Sequence, residues 1–133
     1  MKGNPRAGLL IAAALLMFFG ALGNALVLMP DLRGHLIEIG LRPTVLRGAV
    51  SALYFATAAM FVFALIVAQA ALQSMRRAPV FRLPLSLIAV IHTVAGVMAF
   101  ARSFNPHHLG GIMIGVLIGA ALFIGSSNPG DNR

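Results

Sequence analysis

The 133-residue sequence contains no cysteine, no tryptophan, one tyrosine and only three acidic residues. Without cysteine there is no disulfide, no thiolate zinc site, no cysteine-ligated iron–sulfur cluster and no cysteine nucleophile. A cysteine-free chain suits either side of a redox boundary, so the compartment stays open. Without tryptophan, an interfacial aromatic belt rests on Tyr54 and scattered phenylalanines. Charged residues make up 10% of the chain, against about 25% in soluble domains. That leaves too little polar surface to cover a soluble fold. Catalytic signatures are missing too. The sequence has no His-Glu-x-x-His, no Gly-x-Ser-x-Gly and no phosphate-cradling glycine loop, and a non-enzymatic protein is expected.

What the chain has in quantity is hydrocarbon: 59% of its residues are hydrophobic and the mean hydropathy is +0.93. Four apolar runs cover about 7–29, 44–72, 80–101 and 109–125. Crossing a hydrocarbon core of about 30 Å takes about 20 helical residues. The second run has length to spare for tilt, and the fourth is slightly short. Lipid offers no water to backbone groups, so each run must be helical, and none shows the alternation of a transmembrane strand. Lys2 and Arg6 ahead of the first run match the opening of a signal peptide. The apolar stretch continues to Met29, however, beyond a typical signal core, so a retained membrane helix is expected.

Residues 1–133 therefore read as a single membrane domain, an all-α polytopic protein with a four-transmembrane-helix bundle. The first loop, about Asp31 to Pro43, places Leu32, Leu36 and Ile39 at roughly helical spacing. This predicts a short amphipathic helix lying at the interface. Gly40 suits its C-cap, and Pro43 suits the first turn of the second span.

The net charge is +7, but the basic residues sit at the ends of apolar runs. That placement marks topology determinants beside lipid head groups and argues against a nucleic-acid partner. Lys2, Arg6, Arg76, Arg77, Arg82 and Arg133 share one side, and Arg33, Arg42, Arg47 and Arg102 the other. The balance puts both termini in the cytoplasm, in what is expected to be a bacterial inner membrane.

Hydrophobicity inserts helices but does not pair them; small residues one turn apart do. Gly111-xxx-Gly115-xxx-Gly119 forms a glycine row in the fourth run, and Gly48-xxx-Ala52-xxx-Ala56 a softer one in the second. Each predicts a packing face, whose partner is either a helix of this chain or another protein.

Ionisable residues inside a membrane default to functional candidates. His92 lies deepest, about ten residues or 15 Å below Arg102 by helix rise. Asn24, Tyr54 and Thr57 fall at similar depths, so these four form a candidate ligand-binding cluster. His92 suits a haem ligand, a quinone contact or a proton relay, or else a hydrogen bond that holds two helices in register. A second set lies nearer the surface. Asp31, His35 and Glu38 would share a helical face, with His107 and His108 on the same side, a donor set that suits Zn²⁺ or Cu²⁺. Here the structural alternative is an ordinary polar loop paired with Arg33, Arg42 and Arg102. Small proton-coupled exporters need a membrane-embedded glutamate, whereas Asp31, Glu38 and Asp131 all lie outside the runs.

The layout of four spans, with a first loop of the form Pro30…Gly40-Leu41-Arg42-Pro43…Leu46-Arg47-Gly48, resembles the small bacterial membrane proteins that include the DoxX-like group. That resemblance implies a four-helix membrane fold working beside other membrane proteins, and no defined reaction. The leading expectation is a non-catalytic accessory or scaffolding subunit that contacts lipid or quinone and packs on other membrane subunits or on itself. The alternatives are a small homo-oligomer that transports or binds a hydrophobic ligand, and a haem- or metal-binding membrane protein.

Overall fold

A computed structural model of the chain describes residues 4–126, except for the side chains of residues 107, 125 and 126. Lys2, Asp131 and Arg133 lie outside that range. The described residues form helices α1 (Pro5–Gly23), α2 (Met29–Glu38), α3 (Pro43–Met75), α4 (Arg82–Ser103) and α5 (Leu109–Ser126), with a single π-helical turn at Asn24–Leu28 and a 3₁₀ turn at Pro106–His108.

Local chemistry explains most of the boundaries. Asn4 caps α1 by accepting the Ala7 N–H at 3.3 Å, and Pro5 occupies the first turn, where no intrahelical N–H bond is lost. At the far end of α2, the Gly40 N–H donates to the Ile37 carbonyl and the Leu41 N–H to the Leu36 carbonyl, with Gly40 at φ +68°. This is a Schellman closure, and it needs a residue that tolerates the left-handed region. Pro43 then opens α3, as expected. The same closure ends α3: Arg77 N–H donates to Ser74 and Ala78 N–H to Gln73, but here Arg77 occupies the left-handed position at φ 54°.

The separate interfacial helix expected in the first loop is not what forms. Pro5–Glu38 is one continuous 34-residue helix. Pro30 lacks an N–H, and its ring would strike the carbonyl four residues back. The π turn absorbs both problems: Met29 N–H reaches back five residues to Asn24, shifting the register just before the proline. A residue read as a helix terminator is instead carried through. Within α2, Leu32 and Leu36 are half-buried and α3 is the neighbouring helix, whereas Ile39 is exposed. Leu32 and Leu36 of the apolar row thus lean on α3.

Three helices, Pro5–Glu38, Pro43–Met75 and Arg82–Ser103, are long and apolar enough to cross a membrane, and Leu109–Ile124 is a shorter apolar helix. Basic residues bracket each of the three. At the helical rise, Arg6 to Arg33 spans about 40 Å, Arg47 to Arg76 about 43 Å and Arg82 to Arg102 about 30 Å. These match the thickness of a bilayer with and without its head groups. Large apolar side chains point outward along the helices: Phe55 is 79% exposed and Leu65 70%. Water-soluble surfaces do not carry such contiguous patches.

α1 lies between α3 and α5, and α4 packs on α5. The core takes Leu10, Ala13 and Met17 from α1, Ala64 and Val67 from α3, Leu85 and Ile88 from α4, and Ile114 and Ile118 from α5. All of it lies in the half of the bundle that holds the α1 N-terminus and the α3–α4 link. There Asn4 Nδ2 also donates to the Ser74 carbonyl at 2.9 Å, tying the start of α1 to the end of α3.

Left-handed backbone costs a non-glycine residue about 1–2 kcal/mol, and Arg77 is exposed. Arg77→Gly should therefore raise unfolding stability in detergent by about 1 kcal/mol. A thermal or denaturant titration followed by helical circular dichroism checks this, and an unchanged midpoint contradicts it.

Candidate functional site

The sequence singles out two glycine rows, a deep polar cluster and an outer donor set, and the fold treats each differently. In α5, Gly111 and Gly115 are filled from within the chain by α4. A Cβ at Gly111 would lie 3.1 Å from the His92 carbonyl and 3.3 Å from the Gly96 Cα. At Gly115 it would collide with the Thr93 hydroxyl and stand 2.7 Å from the Ala89 carbonyl. The reciprocal residue is Gly96, where a Cβ would meet the Ile112 backbone nitrogen at 2.8 Å. The two helices therefore cross backbone to backbone. Thr93, which stands against Gly115, donates its hydroxyl to the Ala89 carbonyl at 2.8 Å within its own helix. Gly96 was missed in the sequence, although Ala89, Thr93 and Gly96 recur at helical spacing and mirror the α5 row. Gly119, the third of that row, faces open space.

The α3 row behaves in the opposite way. Gly48, Ala52 and Ala56 are all exposed, and a Cβ at Gly48 meets nothing within 4 Å. Among the described residues no helix covers them.

The deep polar residues do not converge as expected. His92 is buried, and its Nδ1 bonds the Ile88 carbonyl of its own helix at 2.9 Å. Because a carbonyl only accepts, Nδ1 carries the proton. The imidazole meets the Phe63 ring of α3 edge-on, with centroids 6.0 Å apart, so His92 bridges α4 to α3 through ring packing. Tyr54 points outward, 59% exposed. Asn24 donates to the Met60 sulfur at 3.6 Å across the α1–α3 contact. Thr57 is buried on α3, and its hydroxyl has no hydrogen-bond partner among the described residues. Rotation about each helix axis is not legible in the sequence: Asn24 reaches Met60 from the end of α1, whereas His92 meets Phe63 from α4, nine residues along α3 from Tyr54.

The outer donor set is likewise separated. Asp31, His35 and Glu38 stand on exposed positions of α2, which neighbours α3, whereas the turn holding His107 and His108 neighbours α4 and α5. Among the described residues no three His, Asp or Glu side chains are grouped to hold a metal. The distance between their helices keeps the two halves of the set apart.

One recess lies where α1 turns into α2. A cleft of about 150 Å³ opens between that helix and α3, walled by Ala25, Met29, Val50 and Leu53, with Arg33 and Tyr54 as its polar lining. From the sequence Arg33 reads only as a topology determinant and a partner for the loop carboxylates; the cleft depends on how the α1–α2 helix meets α3, which the sequence does not show.

Comparison of the chain with protein families, curated proteins and solved structures gives no match. Function therefore rests on this geometry.

The α4–α5 crossing admits no added carbon. Gly115→Ala should destabilise the fold by about 1–3 kcal/mol through overpacking. Gly119→Ala, in open space, should change stability by less than about 0.5 kcal/mol. Thermal midpoints of the two variants in the same detergent separate them, and equal midpoints would contradict the crossing.

Proposed function

We propose that this chain is a non-catalytic, four-span protein of the bacterial inner membrane with both termini in the cytoplasm, and that it packs as an accessory subunit on a larger membrane protein. α5, at 18 residues, is about 27 Å long and serves as the fourth crossing in a slightly thinned bilayer. The excess of Lys2, Arg6, Arg76, Arg77, Arg82 and Arg133 over Arg33, Arg42, Arg47 and Arg102 supports the orientation.

The observation that carries the accessory role is the uncovered α3 row of Gly48, Ala52 and Ala56. Against lipid, small residues gain nothing that leucine would not supply. Against another helix they allow close approach and the dispersion contacts that drive association in a membrane. The α5 row is already used inside the chain, so the α3 row is the one available to a partner helix. The resemblance of the Pro30–Gly48 segment to DoxX-like proteins agrees with work beside other membrane proteins. Bound quinone remains a minor part of this reading, because His92 is engaged with Ile88 and Phe63.

Purification from native membranes in mild detergent should recover a larger membrane protein in stoichiometric amount. The double variant Gly48→Leu with Ala52→Leu should lose that partner while keeping its helical content and melting point, since both positions face open space. Recovery of a homo-oligomer alone, or a partner retained by the double variant, would refute the accessory role.

A further inference from the structure

The geometry points to a lipid site: we infer that the cleft at the α1–α2 turn binds one anionic glycerophospholipid, its phosphate on Arg33 and an acyl chain along Ala25, Met29, Val50 and Leu53. This rests on the membrane placement proposed above, and it is independent of any protein partner.

Position is the first argument. Arg33 marks one end of the stretch that Arg6 begins, and Arg47 occupies the matching end of α3. Tyr54 lies seven residues, or about 10 Å, deeper than Arg47. The cleft thus runs from the head-group level into the top of the hydrocarbon, the depth range over which a phospholipid changes from phosphate to chain. Tyrosine is favoured at this depth because its ring sits in hydrocarbon while its hydroxyl reaches polar groups.

Charge is the second argument. Arg33 is exposed and makes no hydrogen bond or ion pair among the described residues. Its acidic neighbours on α2 do not neutralise it. Asp31 is two residues away and Glu38 five, spacings that put side chains on different faces of a helix. A guanidinium with free donors beside an apolar trough fits a phosphate attached to a hydrocarbon chain, because its planar fork matches phosphate oxygens. A free phosphate would satisfy Arg33 but would leave the apolar walls unoccupied, so the apolar walls assign the ligand to a lipid.

Shape is the third. The recess of about 150 Å³ lies beside the π turn that precedes Pro30, between Ala25 and Met29 on one wall and Val50 and Leu53 on the other, a slot with room for a hydrocarbon chain segment.

The test uses the full-length protein in mild detergent with an equimolar mixture of phosphatidylglycerol and phosphatidylcholine, read by native mass spectrometry. One phosphatidylglycerol per chain should be retained in preference to phosphatidylcholine. Arg33→Gln should lower that preference about fivefold, the factor carried by one basic residue at a membrane surface, and Arg33→Lys should keep most of it. Leu53→Trp, which fills the trough, should lose both lipids. Arg102→Gln, a basic residue at the same end but outside the cleft, should behave as the wild type. Millimolar inorganic phosphate should not displace the lipid. The chain has one tyrosine and no tryptophan, so lipid entry should also change the emission of Tyr54 in every variant except Leu53→Trp. No preference in the wild type, equal losses in Arg33→Gln and Arg102→Gln, or displacement by phosphate would each overturn the assignment. Failure of the protein to float with liposomes would instead refute the membrane placement.

Discussion

Two helices can lie backbone to backbone only where both lack side chains, and the α4–α5 crossing meets that condition from both sides. Gly111 and Gly115 leave room for the His92 and Ala89 carbonyls, while Gly96 leaves room for the Ile112 backbone. In lipid such contact cannot be replaced by a hydrophobic driving force, because the exposed alternative is equally apolar. The crossing therefore fixes how α4 and α5 sit as a pair. That pair presents Ile114 and Ile118 to Leu10 and Met17 of α1, and α1 in turn carries α3. The order of packing follows from this one close approach.

The consequence is an uneven molecule. Around the level of Met17 and Val67 four helices share a core, largely of alanine and aliphatic side chains. Beyond Ala21 and Thr57 only the α1–α2 helix and α3 continue together, and burial nearly stops. Helices of 34 and 33 residues accompany others of 22 and 18, so the longer pair must outrun the shorter one. The rigid half supplies stability. The thinner half holds the cleft, the uncovered α3 row and the orphan Thr57 hydroxyl, features that have unsatisfied contacts and are free to acquire them.

Much of this was legible because it is local. The long apolar helices follow from apolar length, the start of α3 from Pro43, and the end of α2 from Gly40. The bracketing arginines mark the ends. Two features were misjudged for physical reasons. Pro30 reads as a stop in any rule based on α-helical hydrogen bonding, and only a register shift of one residue reveals it as passable. The polar cluster of Asn24, Tyr54, Thr57 and His92 was placed by depth alone. Depth is a sum of rises along a helix, whereas facing depends on which neighbour each helix chooses. That choice was made by Gly96, which lies in a stretch where a single glycine carries little signal by itself.

His92 shows why depth is a weak guide to chemistry. A histidine in a membrane needs its polar atoms satisfied, and the nearest acceptor is the carbonyl one turn back on its own helix. Ile88 supplies it at 2.9 Å, so no partner chain or cofactor is required to account for that proton. Phe63 then uses the ring as a packing surface, closing the one side of the bundle where the α3 and α4 backbones stay apart. The Nδ1 side of a residue that sequence logic places among ligands is thus engaged within its own helix. The buried Thr57 hydroxyl, without a hydrogen-bond partner among the described residues, and the cleft beside Arg33 both belong to the α1–α3 side. Any binding by this protein is therefore expected where two helices leave gaps, and not where four have filled them.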